Sequence, residues 1–207
     1  MFVNIPKNKI VSFLDEYKTI IHLMDEGYIS AAAANGFTCK GCRESCCETR
    51  FYHHTYLEFY LLCEGLQSLT QNQHDHIRRL AAEACLQAEI CDHQKKTYRI
   101  MCPLNSAGRC SLYSFRPMIC RLHGVAHELK RPDGARLLGA GCHLFEKTCK
   151  NTSPIRLDRT PYYRQMAGVE KRLRLTIGLQ TKLKMTVAEM VLTATNDRRA
   201  LKNALYQ

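Results

Sequence analysis

Within nine residues the chain places four cysteines, Cys39, Cys42, Cys46 and Cys47, among Lys40, Gly41, Arg43, Glu44 and Ser45. Two thiolates separated by two residues can turn back onto one metal, because the loop between them aims its backbone N–H groups at the sulfurs. Buried cysteines in an apolar core act as small hydrophobes, and the polar neighbours here do not make a core pattern. The segment reads as a knot of soft ligands. A second set follows in Cys102-Pro103, Gly108-Arg109-Cys110 and Arg116-Pro117-Met118-Ile119-Cys120-Arg121. Cys102 and Cys110 bracket a turn, and Cys120 stands at the start of a short helix. Proline directly after a ligand cysteine also occurs in ferredoxin-type cluster motifs. Gly141-Cys142-His143 adds another sulfur and an imidazole.

The candidate ligands are therefore Cys39, Cys42, Cys46, Cys47, Cys102, Cys110, Cys120 and Cys142. Eight thiolates exceed what one tetrahedral Zn2+ needs, so the expectation is two zinc sites, or an iron–sulfur cluster with spare thiols. Arg43, Arg109, Arg116 and Arg121 would offset the negative charge of either, and the two arginines beside Cys120 serve equally well as salt-bridge partners. Cys63, Cys85, Cys91 and Cys149 are expected to be ordinary thiols. His53 and His54 follow the first knot, and adjacent side chains diverge, so at most one joins a single site. A surface imidazole and a ligand or supporting role are both open for them, and for His143. The Leu137-Leu138-Gly139-Ala140-Gly141 run fails as a dinucleotide fingerprint, because Leu144 stands where its third glycine belongs. No Ser/His/Asp order, zincin motif or radical-SAM spacing is present.

Cys39-x2-Cys42-x3-Cys46-Cys47, with Cys102-Pro103, Gly108-Arg109-Cys110-Ser111-x-Tyr113 and Arg116-Pro117-x2-Cys120-Arg121, resembles the CxxCxxCC cysteine-cluster family. The resemblance covers roughly residues 37 to 145, and its most specific part is the pairing of Cys-Pro with Arg-Pro-x2-Cys-Arg. That family is described as zinc- or iron-chelating, and flagellin lysine N-methylases are related to it. The resemblance implies a cysteine-bound metal or cluster and little about a reaction. This chain has three residues, not two, between Cys42 and Cys46, which leaves open whether Cys46 or Cys47 faces the metal.

The elements that must position these residues follow from periodicity. Ile10, Phe13, Leu14, Tyr17, Ile20, Ile21 and Met24 predict a helix over 8–26, stopped at Gly27. Helices are expected over 55–62, ending near Gly65, and over 71–93, where Ile77, Leu80, Ala81, Ala84, Ala88 and Cys91 share a face. From Tyr98 the texture changes to loops and short strands, with 105–108 a loop. Arg116-Pro117 opens a short helix through Cys120 and Arg121. Residues 125–129 and 135–138 flank Arg131-Pro132-Asp133-Gly134 as a hairpin. Thr160-Pro161 starts a helix carrying Tyr162, Met166, Val169, Leu173 and Ile177 as an apolar stripe, and Thr186-x-x-Glu189 is a capping box.

The fold class expected is mainly α with a small irregular β region. It comprises a metal-organised domain over 1–150 and a basic helical extension over 151–207. The 207 residues suffice for a core without disulfide staples, and 12 Cys with no Trp in such a chain argue for metal over bridges. No apolar run approaches the ~18–20 residues that span a bilayer. Lys9, Asp15 and Glu16 interrupt any signal-like stretch. A membrane span and export are not expected; a cytoplasmic chain with reduced thiols is. Residues 145–207 hold 13 Lys/Arg against 5 Asp/Glu and supply +8 of the net +11. Such a surplus suits nucleic acid or an acidic protein. The leading reading is a zinc- or iron-chelating protein. Its alternatives are a cluster-dependent methyltransferase-like or redox enzyme, and a zinc-stabilised module presenting the basic extension.

Overall fold

A helix that is apolar all round belongs in an interior, and Tyr56–Gln67 (α2) buries every residue except Glu64 and Gln67. The computed structural model describes residues 7–39, 46–151 and 153–196; the candidate ligand Cys42 and its neighbour Arg43 lie outside them. Across the described residues the fold is mainly α-helical with two small sheets. Contacts divide the chain into two compact units. The first takes residues up to Asp15, Cys47–Pro117 and Glu170 onward; the second takes Glu16–Cys46 and Met118–Val169.

In the first unit α2 is the centre. Its N-cap Thr55 accepts the Glu58 amide, as a helix start requires. The next helix, Gln71–His93 (α3), opens with a reciprocal Thr70/Gln73 capping box and buries only Ile77, Ala81 and Ala84, one narrow stripe. That stripe meets Val187–Asn196 (α7), which packs against both α2 and α3. The capping box at Thr186 and Glu189 forms as expected, with Glu189 Oε2 accepting the Thr186 amide at 2.6 Å. The residues taken from sequence as a loop at 105–108 make a two-residue hairpin between Asn105–Ser106 (β1) and Arg109–Cys110 (β2). Ala107 and Gly108 both have positive φ, 50° and 82°, the type I′ signature whose twist suits paired strands.

Gly65 shows why α2 carries a glycine in mid-helix. A Cβ there would lie 2.6 Å from Cγ and 2.8 Å from Cβ of Phe115, in the short turn Tyr113–Phe115. Glycine to alanine in a helix ordinarily stabilises. Here the phenyl root cannot swing aside, so Gly65→Ala is expected to cost about 1–3 kcal/mol through overpacking, read as a lower urea midpoint at unchanged slope.

The helix Lys7–Ala34 (α1) belongs to the second unit from Glu16 onward, where it supplies Tyr17, Ile20, Ile21 and Met24 to the core. The helix does not stop at Gly27. Tyr162 Oη lies 2.1 Å from where a Cβ on Gly27 would be, so this glycine permits a close approach, and Ala31–Ala34 carry the helix on. Gly36, at φ +60°, follows the end of the helix. Met118–Leu122 (α4) follows Pro117 as expected. The hairpin forms from His127–Lys130 (β3) and Arg136–Gly139 (β4), with Leu129 opposite Leu137. Leu157–Asp158 (β5) adds to β3 in parallel, giving the order β4-β3-β5. His143–Thr148 (α5) seats Phe145 edge-on against Phe37 at 5.1 Å. Thr160–Ile177 (α6) buries Met166 and Val169 of the expected stripe in this unit, and Leu173 and Ile177 in the first.

Candidate metal centre

Three of the predicted ligands, Cys47, Cys102 and Cys110, lie together in the first unit. Cys47 sits in the turn Cys46–Glu48. Its carbonyl accepts the Cys102 amide at 2.9 Å, and the Cys102 carbonyl accepts the Asn105 amide at 3.0 Å. Asn105 in turn stands opposite Cys110 in the β1–β2 register. The hairpin thus folds Cys110 back beside Cys102, while the main chain holds Cys47 alongside. Side chains reinforce this from the flanks. Arg99 donates to Glu48 at 3.0 Å, and Arg50 grips Asp92 near the end of α3 with two bonds of 2.6 and 2.8 Å. The Arg50 guanidinium also lies over the Tyr98 ring at 4.9 Å and the Tyr52 ring at 5.5 Å. Both ends of the chain that carry the sulfurs are therefore pinned.

The electrostatics of the three sulfurs follow from this placement. Burial pushes the Cys102 thiol up to about 12; a backbone hydrogen bond from Leu104 pulls the other way, and the Cys47 and Cys110 thiolates raise it further. Adjacent thiolates repel, so the cluster holds its protons unless a cation compensates. A bound dication reverses that balance by displacing the protons. Among the described residues, no three His, Cys, Asp or Glu side chains stand in an arrangement that could hold a metal ion. The three sulfurs are neighbours without converging on one point. Their donor chemistry fits a soft cation, since all three are sulfur and one already accepts an amide hydrogen bond.

The other described candidates belong to the second unit. Cys39 follows α1 and is exposed, as is Cys46. Cys120 lies half-buried in α4. Cys142 caps α5, its Sγ accepting the Phe145 amide at 3.4 Å while its own amide bonds the Gly124 carbonyl at 2.9 Å. Arg121, open in sequence between thiolate donor and salt-bridge partner, pairs with Asp25 of α1 at 2.7 Å. Arg116 stacks on the Tyr113 ring at 3.6 Å and donates to the Tyr113 carbonyl. Among the expected ordinary thiols, Cys63 and Cys149 are buried and Cys85 and Cys91 half-buried.

The two histidines after the first knot separate. His54 is exposed, whereas His53 is 1% exposed and pairs its backbone with Met185 at 2.7 and 3.0 Å. His53 is therefore no surface imidazole. Its Nδ1 lies 3.6 Å from the buried Glu58 carboxylate. Glu170 of α6 accepts the Tyr56 and Leu57 amides at 3.0 and 3.1 Å, so a carboxylate caps the start of α2. Burial pushes the Glu170 carboxyl up, the two amides and Arg174 pull it down, and Glu58 raises it again. Little in the local sequence marks this polar core. Its only legible trace is the Thr55-x-x-Glu58 capping pattern.

Comparison of the chain with known protein families, with curated proteins and with solved structures finds no match.

Proposed function

We propose that the chain binds a metal ion or an iron–sulfur cluster through its cysteines, in the manner of the CxxCxxCC cysteine-cluster family that its motifs resemble. The observation that carries this reading is the meeting of Cys47, Cys102 and Cys110, which come from segments far apart in sequence and are tied by the Cys102–Cys47 backbone bond. Cys39, Cys42, Cys46, Cys120 and Cys142 are the remaining proposed donors. When bound, such a group would join the two segments covalently and contribute folding free energy; an iron–sulfur cluster would add an electron-transfer couple. Leu104 and Phe145, through their amides, would steady the sulfurs of Cys102 and Cys142.

The setting we infer is the cytoplasm, where thiols stay reduced. Among the described residues no helix is long and apolar enough to cross a membrane. The partner we infer for the basic residues beyond 150 is an acidic macromolecule, nucleic acid or protein. α6 supports this, since it turns Met166, Val169 and Leu173 inward while Arg164, Lys171 and Arg172 stay exposed.

The test is anaerobic purification of the full-length chain, with iron, sulfide and zinc measured per chain alongside the visible spectrum. The expected result is at least one metal equivalent per chain, coloured for a cluster and colourless for zinc, with chelation lowering the melting temperature. A chain that takes up neither metal, and whose melting curve neither metal moves, would overturn the reading.

A further inference from the structure

Arg159 stands between β5 and α6 and is only 4% exposed. Its backbone N–H bonds the Glu128 carbonyl of β3 at 2.9 Å, and its carbonyl accepts the Tyr163 amide at 3.2 Å. The guanidinium is thereby carried into the interior of the second unit. One terminal nitrogen donates to the Leu122 carbonyl and a hydrogen bond joins the group to the Tyr163 side chain, but Nε has no partner. Among the described residues no carboxylate pairs with it. The acids next to it in the fold are engaged elsewhere: Glu128 with Arg136, and Asp158 with the Thr160 amide at 2.9 Å. Arginine cannot shed its proton to escape burial. A cation desolvated in this way without a counter-charge is costly to keep.

The surroundings are donor-rich. His127 packs its ring across the sheet onto Gly139, its cross-strand partner, where a Cβ would lie 2.1 Å from the ring. The opposite strand has given up a side chain to seat this imidazole. Gly124, at φ +122°, similarly admits the Tyr28 hydroxyl, 2.9 Å from where its Cβ would be. Arg156 donates to the Gly139 carbonyl at 2.8 Å, adding a second positive charge. Burial and then the Arg159 charge push His123 down, and the same two causes push down His127, with His123 and Arg156 adding to the effect. Both imidazoles thus feel the positive charge of Arg159, against which a hydrogen bond to the Val125 carbonyl works at His127. The Tyr28 and Tyr163 hydroxyls feel it as well.

The geometry points to a binding site for a small oxyanion, a phosphate or a carboxylate group, at Arg159 with His123 and His127 beside it. An oxyanion there supplies the missing counter-charge and accepts from the orphaned Nε. It also offsets the field that keeps the two rings neutral. This site draws on none of the proposed metal ligands.

The test titrates the full-length chain with inorganic phosphate, and separately with acetate, at constant ionic strength made up with sodium chloride. The His123 and His127 ring resonances are followed by NMR together with the melting temperature. Saturable movement of both rings toward the imidazolium position, with a saturable rise in melting temperature, is expected. A response to phosphate alone assigns a free or esterified phosphate; a response to acetate assigns a carboxylate ligand. Arg159→Met should weaken the response about tenfold or more, and Arg159→Lys should keep part of it. Rings that do not move with either anion would overturn the assignment, as would an equal response in Arg159→Met. If Arg159→Met does not fold, the ring titration of the unsubstituted chain decides alone.

Discussion

Cys102→Ser is expected to leave the purified chain without the metal proposed for the first unit, and Cys110→Ser to do the same. Both sulfurs are fixed by the main chain before any metal arrives. Cys102 is held by its amide bond to the Cys47 carbonyl and Cys110 by the register of the β1–β2 hairpin. A serine hydroxyl keeps those backbone bonds, so the fold of the segment survives and the comparison isolates the donor atom. Oxygen is the harder and poorer ligand for zinc or iron, and the neutral hydroxyl cannot replace a thiolate charge. Cys63 provides the contrast. It is 2% exposed inside α2, and burial pushes its thiol well above the ordinary range. Cys63→Ala should cost about 1 kcal/mol and keep full metal content. Metal per chain, with thermal melts before and after chelation, reads all three variants. Full occupancy in Cys102→Ser with loss in Cys63→Ala would reverse the assignment.

The contrast also shows where the sequence was legible. One helix start was, because it is local: Thr186 caps the helix that its spacing to Glu189 announced, and α3 runs over 71–93 as its stripe requires, whereas the caps at Thr55 and Thr70 emerge only in the structure. The hairpin around Arg131–Gly134 was legible for the same reason. Gly27 misled because a glycine that stops a helix and one that admits a neighbour look alike in sequence; only the position of Tyr162 separates them. The cysteines announced themselves by type and spacing. That Cys102 would sit beside Cys47 depended on a register formed across the fold, which no local pattern encodes. Least visible was the polar core at the start of α2. Glu170 reaches the Tyr56 amide across 114 residues of chain, and a glutamate in a basic helical stretch carries no mark of being buried.

Ending the chain after Gly178 is expected to unfold the first unit, whereas neutralising the exposed cations of the same region is expected to leave it folded and weaken polyanion binding. The sequence sets residues 151–207 apart by charge, yet Leu183, Val187, Ala188, Met190, Val191 and Ala194 are all buried. α7 lies on α2 and α3, Met185 pairs its backbone with His53, and Tyr56 donates to the Thr181 carbonyl at 3.2 Å. Burying one large apolar side chain stabilises by about 1.5–3 kcal/mol. Losing several at once exceeds the roughly 5–15 kcal/mol by which a domain is stable. Far-UV circular dichroism and limited proteolysis of the shortened chain would report the collapse. By contrast Lys171, Arg172 and Lys182 project into solvent, where a change to glutamine touches no core. The triple variant should melt close to the unsubstituted chain and bind duplex DNA or heparin more weakly. Its dependence on salt should be shallower by about 0.9 in logarithmic slope for each phosphate contact removed. A shortened chain that stays folded would show that α7 is dispensable. An unchanged salt slope in the triple variant would place polyanion binding, if the chain shows it, on other cations.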